Sequence, residues 1–214
     1  NLNHDFRPNN YFSNTLINQN ITINNSFLSA LSTKDYNLNI SGEMYYHPLR
    51  TTFRLNGNYS LSYDKNVVNN SEIRDIKGNT LFLNLIARVG FKSKISLENS
   101  IFYLNNSFEV ENNKTRFQSL TNQTKIIYKP TKEIKIYSIA NIISPDLNQN
   151  SNYLFLESEI NYSPLNKKYG LSLIAKNLTN NKTFETRSIS DFSSSTSSHN
   201  LIERYVMLKL YFSF

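Results

Sequence analysis

The sequence predicts an all-β protein, a transmembrane antiparallel β-barrel of about ten strands. Three observations lead to this prediction. Apolar and polar residues alternate through most of the chain, short turns alternate with long polar loops, and the apolar set of the last segment extends to the terminal Phe214. Alternation with a period of two places successive side chains on opposite faces of a strand. Each predicted strand therefore has one apolar face and one polar face.

The strands are predicted from this alternation, segment by segment. In residues 36–46 one face carries Tyr, Leu, Ile, Gly, Met and Tyr, and the other carries Asn, Asn, Ser, Glu and Tyr. Residues 52–63 repeat the pattern. The segments that begin at Arg116 and Ile134 alternate less cleanly, so the sequence leaves their facing open. The other predicted strands span residues 20–31, 81–91, 95–110, 116–128, 134–143, 152–162, 169–179 and 201–214.

The connections between the strands are of two kinds. Three of them place a tyrosine two residues before a proline, and these are Tyr46-His47-Pro48, Tyr128-Lys129-Pro130 and Tyr162-Ser163-Pro164. Proline cannot donate to a β-ladder, so it belongs in a turn. A fourth short turn is predicted at residues 92–94. The polar segments 64–79, 111–115, 147–151 and 180–200 are predicted as longer loops at the opposite end of the strands, and this asymmetry is typical of bacterial barrels.

Composition excludes several classes of protein. No segment approaches the roughly 18 consecutive apolar residues of a membrane-spanning helix, which excludes a helical membrane protein. The chain has no cysteine, which excludes disulfides and cysteine-ligated metals. The formal net charge is +7, but the basic residues are scattered singly along strands and turns. No basic stripe is formed, so no nucleic-acid partner is predicted.

Two features favour a membrane barrel over a soluble β-sandwich. Tyrosine and phenylalanine lie near the predicted strand ends on the apolar face, where a membrane interface stabilises amphipathic rings. The opposite face carries Asn, Ser, Arg, Glu and Lys in almost every strand, whereas the interior of a small soluble barrel is dry and aliphatic. Such a face requires a lumen filled with water or with protein. A soluble β-rich glycan-binding module remains an alternative, and it would require the apolar face to be packed inside.

The last two predicted strands resemble those of a known family. The segment Arg204-Tyr205-Val206-Met207-Leu208-Lys209-Leu210-Tyr211-Phe212-Ser213-Phe214 resembles the final strand of TonB-dependent outer-membrane receptors. The segment from Leu171 to Asn180, with its Asn177-Leu178 pair, is similar to the penultimate strand of that family. The tyrosine–proline turns are consistent with the periplasmic turns of such receptors.

The resemblance implies that residues 1–214 are the C-terminal part of a 22-stranded barrel in the cell outer membrane, without its plug domain. It also implies the import of a nutrient and no enzymatic activity. The implied partners are outer-membrane lipid, the rest of the receptor including the plug, a TonB-type energy-coupling protein that acts through the plug, and a surface lipoprotein. The sequence begins at Asn1 without a basic and then apolar leader, so a longer or processed polypeptide is expected. The alternatives are a self-contained ten-stranded barrel and a structural or docking subunit that transports nothing.

The sequence offers few candidates for chemistry, and no catalytic, metal or cofactor residue is predicted. The three histidines, His4, His47 and His199, have no metal-ligand spacing. Glu157 and Glu159 share one predicted face and are interpreted as lumen charges balanced by Lys176, Lys135 or Arg88 rather than as a catalytic pair. Ser198, His199 and Asp191 could form a hydrolytic set only if their polar loop held them in register. The asparagine-rich polar face is left as a possible contact for glycans or peptides.

Overall fold

The computed structural model describes residues 2–7, 10–18, 21–29, 32–70, 72–90, 94–111, 113–149, 151–165, 168–191 and 193–212. These residues form strands and the turns between them. The described part contains no helix that is long and apolar enough to cross a membrane. Its strands are β1 (Leu2–Arg7), β2 (Asn10–Asn18), β3 (Ile21–Ser29), β4 (Thr33–Tyr46), β5 (Thr51–Val68), β6 (Arg74–Gly90), β7 (Ile95–Val110), β8 (Asn113–Tyr128), β9 (Ile134–Ser144), β10 (Tyr153–Tyr162), β11 (Tyr169–Lys176), β12 (Thr183–Ile189), β13 (Ser194–Asn200) and β14 (Tyr205–Phe212).

One antiparallel sheet contains most of the chain. Its strands lie in the order β1, β4, β5, β6, β7, β8, β9, β10, β11, β14. The all-β prediction is therefore confirmed, and so are the antiparallel pairing of consecutive strands and the placement of the tyrosine–proline turns at one end of the sheet. In the described part the sheet is open, with β1 and β14 at its two ends, so closure into a barrel is not observed. Ser213 and Phe214, which the sequence analysis placed at the end of the last strand, lie outside the described residues.

A hairpin is inserted between β1 and β4. Strands β2 and β3 pair with each other, and β2 joins the sheet through a short parallel contact with β5, at Asn14↔Val67 and Thr15↔Val68. The strand predicted over residues 20–31 is β3, but it pairs with β2, and β1 rather than β3 pairs with β4; neither β1 nor β2 was predicted. Alternation within a segment identifies a strand, but it does not identify which strand the segment pairs with.

Three predicted loops are mostly regular structure. Strands β5 and β6 extend through residues 64–79 and remain paired from Tyr63↔Lys77 to Asn66↔Arg74. Strands β7 and β8 continue as far as Val110↔Asn113. Residues 180–200 contain the hairpin β12–β13, whose second strand is the serine-rich segment. These segments carry polar residues on both faces, so they lack the alternation that identified the other strands, and cross-strand hydrogen bonds define them instead.

The sheet has no apolar core. Among the described residues, the buried apolar side chains are Ile189 and Pro145, neither of which lies in a strand of the main sheet, whereas many large apolar side chains are exposed. Leu83 and Leu85 are 38% and 41% exposed, while Asn84 between them is partly covered. On β6, β10 and β11 the apolar face, which carries Leu83, Leu154 and Leu173, is thus more exposed than the polar face, whereas on β14 both faces are exposed. A soluble sheet shows the reverse arrangement.

The pairing register also settles the facing that the sequence left open. Ile126 of β8 pairs with Leu97 of β7 and with Ser138 of β9, so these three residues share the apolar face. Lys125 and Ile139 pair with each other on the opposite face. Side chains at paired positions of neighbouring strands point to the same side of a sheet, so the well-patterned strands fix the facing of β8 and β9.

Candidate functional site

The candidate site is the polar face of the sheet, where opposite charges meet across neighbouring strands. Glu43 of β4 pairs with Arg54 of β5, with Nη2 of Arg54 2.5 Å from Oε2 of Glu43. Arg88 of β6 pairs with Glu98 of β7 at 2.6 Å. Uncharged asparagine side chains also pair across neighbouring strands, since Nδ2 of Asn58 donates a hydrogen bond to Oδ1 of Asn39 at 2.7 Å. Because these side chains remain partly solvated, each ion pair contributes little to stability, but together they produce a polar, charge-balanced surface.

A groove of about 290 Å³ lies on this face between β8, β9, β10 and β11. Lys125, Lys176, Glu157, Glu159 and Asn161 supply its polar lining. Lys176 forms an ion pair with Glu157, which is one of the partners that the sequence analysis proposed for this carboxylate. The groove thus offers both charges and amide donors to a polar ligand, over an aliphatic base formed by Ile139 and Ile174.

One aromatic ring organises the cations at this groove. Tyr137 of β9 has the Nζ atom of Lys135 4.4 Å from its ring centroid and that of Lys125 5.9 Å away. An ammonium group within about 6 Å of a ring is attracted by the negative face of the ring. Tyr137 therefore holds two cations on the same side of the sheet as Glu157 and Glu159.

Aromatic side chains form a second region on the same face, toward the loop end. Phe82 and Phe102 meet edge to face with ring centroids 4.9 Å apart. Phe184 of β12 packs against Tyr153 at 4.9 Å and against Phe155 at 6.0 Å. Register places Phe102, through Thr121 and Ile143, in line with Tyr153 on the polar face. The hairpin β12–β13 consequently covers part of the polar face.

Two partly buried ion pairs hold the β12–β13 hairpin in this position. Nη1 of Arg187 lies 2.6 Å from Oδ2 of Asp146, whose side chain is 1% exposed. At the tip of the hairpin, Asp191 accepts hydrogen bonds from Arg74 at 2.9 Å and from Asn66 at 2.6 Å. The hairpin is therefore fixed to the β9–β10 connection and to the β5–β6 hairpin, and it is regular structure rather than the long polar loop predicted from the sequence.

Asn177 connects the main sheet to this hairpin. Its Nδ2 donates to the carbonyl oxygens of Asn181 and Ile202, each at 2.8 Å, and its Oδ1 accepts from the Asn181 amide at 3.0 Å. The residue is buried and has a φ of 50°, a left-handed conformation that asparagine tolerates better than most residues. The Asn177-Leu178 pair singled out from the sequence thus fixes the base of the last loop by bridging the end of β11 to the approach to β14.

The candidate catalytic and metal-binding residues are not brought together. Asp191 lies at the tip of the hairpin, whereas Ser198 and His199 lie toward its base, opposite Glu185 and Phe184. His4 stacks on Tyr36, and His47 lies in a turn beside Tyr45. The described residues contain no group of three or more His, Asp or Glu side chains that could hold a metal ion.

Two parts of the site could not be predicted from the sequence. These are the position of Phe184 in the aromatic group and the ion pair of Arg187 with Asp146. The phenylalanine lies in a segment without apolar alternation, and the ion pair joins residues that are 41 positions apart. No local pattern predicts either contact. Comparison with known proteins adds no assignment, because no family model, no curated protein and no solved structure matches this chain.

Proposed function

We propose that this chain forms part of the wall and the outer loops of an outer-membrane barrel, of the TonB-dependent receptor type, that imports a nutrient. The observation that carries the proposal is the inverted exposure of the sheet, with its apolar face open and its polar face charge-balanced and partly covered. In water, an exposed apolar face of this extent costs free energy and promotes association. In a bilayer, hydrocarbon covers the same face at no such cost.

The dimensions of the apolar face support a membrane setting. On β5 the apolar positions run from Phe53 to Tyr63. Ten strand steps of roughly 3.3 Å span about 33 Å, and a tilt of about 45° reduces this to about 23 Å along the membrane normal. The outward-facing apolar band of outer-membrane barrels is about 25 Å tall. The tyrosines of the short turns, Tyr46, Tyr128 and Tyr162, lie at one border of this band.

The edges of the sheet support a larger assembly. Strands β1 and β14 each pair on one side only within the described residues. Unpaired backbone groups cost several kcal/mol each in hydrocarbon, so a membrane sheet must close. We expect further strands to pair with β1 and β14. The proposed partners are outer-membrane lipid, the rest of the receptor with its plug, a TonB-type protein that acts through the plug, and a surface lipoprotein. We propose no catalytic role and no cofactor.

A matched pair of substitutions tests the proposal. Leu83 and Asn84 are neighbours on β6, at the same depth but on opposite faces. Arginine at Leu83 would face lipid and should cost about 2 to 4 kcal/mol near the midplane, whereas arginine at Asn84 would face the lumen. We expect Leu83→Arg, and not Asn84→Arg, to lower the amount of heat-resistant protein in the outer membrane. If Leu83→Arg assembles normally, or if the protein is a stable soluble monomer, the proposal is wrong.

The covered polar face favours a second candidate, a structural or docking barrel that transports nothing. The β12–β13 hairpin rests on Tyr153 and Phe155 and is held there by two ion pairs, which is the arrangement expected of a blocked lumen. Uptake by intact cells separates the candidates. A receptor supports the uptake of a nutrient that requires inner-membrane energy, and deletion of the gene abolishes this uptake. A docking barrel leaves uptake unchanged while its partners are lost from the membrane.

A further inference from the structure

The apolar face is interrupted at its centre by a group of small polar side chains, which we call the amide patch. Its members are Asn99 of β7, Asn122 and Thr124 of β8, Ser138 of β9 and Ser158 of β10. Pairing places all five on the apolar face, since Asn99 pairs with Ala87 and Thr124, and Ser138 pairs with Ile126 and Ser158. The patch follows from register, because the alternation of β8 alone did not identify its facing.

Depth within the apolar band makes this position unusual. On β7 the residues that share the face are Ile95, Leu97, Ile101 and Tyr103, and Asn99 lies at the middle of this run. Apolar side chains surround the patch, and among them Ile126 and Ile142 are 43% and 50% exposed. The patch therefore does not lie at a polar border of the band, and its depth does not account for the polar side chains there.

The patch satisfies only part of its own hydrogen-bonding capacity. Nδ2 of Asn99 donates to Oδ1 of Asn122 at 2.9 Å and to Oγ1 of Thr124 at 2.8 Å. Ser138 and Ser158 lie 3.4 Å apart, oxygen to oxygen. Among the described residues, no group donates to Oδ1 of Asn99, and Nδ2 of Asn122 donates to none. In hydrocarbon, an acceptor and a donor left in this state are costly.

We propose that the amide patch is the contact through which a second copy of this chain packs against the first in the membrane. The inference rests on the proposed function, because a polar group on this face is costly only if the face meets lipid. The unpaired groups are self-complementary. Under a two-fold axis between the two asparagines, Nδ2 of Asn122 in each copy donates to Oδ1 of Asn99 in the other, which makes a reciprocal pair of hydrogen bonds.

The neighbours of the patch favour close approach of another protein surface. Ala87 pairs with Asn99, Ala140 pairs with Thr124, and Ala175 pairs with Ser158. Small residues of this kind let two backbones come close in a membrane, while hydroxyl and amide groups hydrogen-bond across the contact. Lipid tails would fill the same depression but could not satisfy the amides. The patch is uncharged, so a strongly charged partner gains nothing there.

Cysteine cross-linking in the membrane tests the proposal, since this chain has no cysteine of its own. Thr124→Cys lies beside the proposed axis. Its control, Phe53→Cys, lies in the same row through Ala87 and Asn99, three strands or about 14 Å away. Two full-length copies of each cysteine variant, carrying different tags, are co-expressed. Isolated outer membranes are then treated with a short bis-maleimide, which links two nearby cysteines. We expect a product that contains both tags for Thr124→Cys and not for Phe53→Cys.

A second variant tests the hydrogen bonds themselves. Asn99→Leu with Asn122→Leu, combined with Thr124→Cys, should reduce the doubly tagged product at least about tenfold, because the double substitution removes both reciprocal hydrogen bonds of the contact. Membrane residence and heat resistance should be unchanged. Equal cross-linking of the control, a product with a different protein only, or no loss in the leucine variant overturns this inference alone. Recovery of the protein outside the membrane overturns both this inference and the proposed function.

Discussion

Asn177→Ala should release the last loop from the sheet without unfolding the sheet. The side chain of Asn177 makes three hydrogen bonds to backbone groups of Asn181 and Ile202, and it is buried. Alanine removes all three and leaves their backbone partners without this side chain. Alanine also has to adopt the φ of 50° that asparagine tolerates here. Both effects destabilise the same junction between β11 and β14.

The magnitude follows from these contacts. Three neutral hydrogen bonds at about 1 kcal/mol each give about 3 kcal/mol. The left-handed conformation costs alanine roughly 1 kcal/mol more. The local opening free energy should therefore fall by about 4 kcal/mol, which corresponds to a roughly 10³-fold larger opening constant. Asn177→Asp keeps the acceptor but replaces the donor with a buried carboxylate oxygen that faces two carbonyl oxygens, so it should also weaken the junction, by at least about 2 kcal/mol.

Limited proteolysis measures this opening directly. Trypsin can cleave after Lys182, Arg187 and Arg204, and cleavage requires the backbone around these residues to open locally, even where the side chain is already exposed. We expect Asn177→Ala to raise the initial cleavage rate in this segment by up to about 10³-fold, and the increase stops once the open state is the main population. The heat resistance of the sheet should change little. Asn200→Ala, an exposed position on β13, is the control and should leave the rate unchanged. A change below about threefold for Asn177→Ala would refute the reasoning.

Two further predictions concern packing and buried charge. Gly170→Ala should lower the free energy of unfolding by about 1 to 3 kcal/mol, because the new Cβ would overlap the ring of Tyr211 on β14. Gly42→Ala is the control and should not lower it, because no atom lies within 4 Å of the new Cβ. Equal denaturation midpoints for the two variants would contradict the packing argument. Arg187→Ala should free the β12–β13 hairpin by leaving the carboxylate of Asp146 buried without its cation. Asp146→Asn in the same chain should recover part of this loss. A double-mutant cycle compares the proteolysis rates of the two single variants and the double variant. If the effects of the two substitutions on the opening free energy are additive, the ion pair does not hold the hairpin.

The sequence by itself determined most of the strands and their direction. In residues 36–46 and 81–91 the alternation is strict enough to fix both the strand and its apolar face, because the period of two is a property of the strand alone. The tyrosine–proline turns were predictable for a similar reason, since proline restricts its own backbone and that of the preceding residue. The receptor resemblance and the membrane location are still proposals that rest on this pattern and on the exposure of the apolar face.

Only the tertiary structure decided which strands pair and what the polar segments do. The serine-rich strand β13 has no amphipathic signal and is a strand because β12 supplies its hydrogen bonds. The facing of β8 and β9, and with it the amide patch, depends on register with their neighbours. The ion pair of Arg187 with Asp146 joins residues 41 positions apart. Local sequence encodes local periodicity, whereas these contacts depend on how distant segments are aligned by the whole sheet.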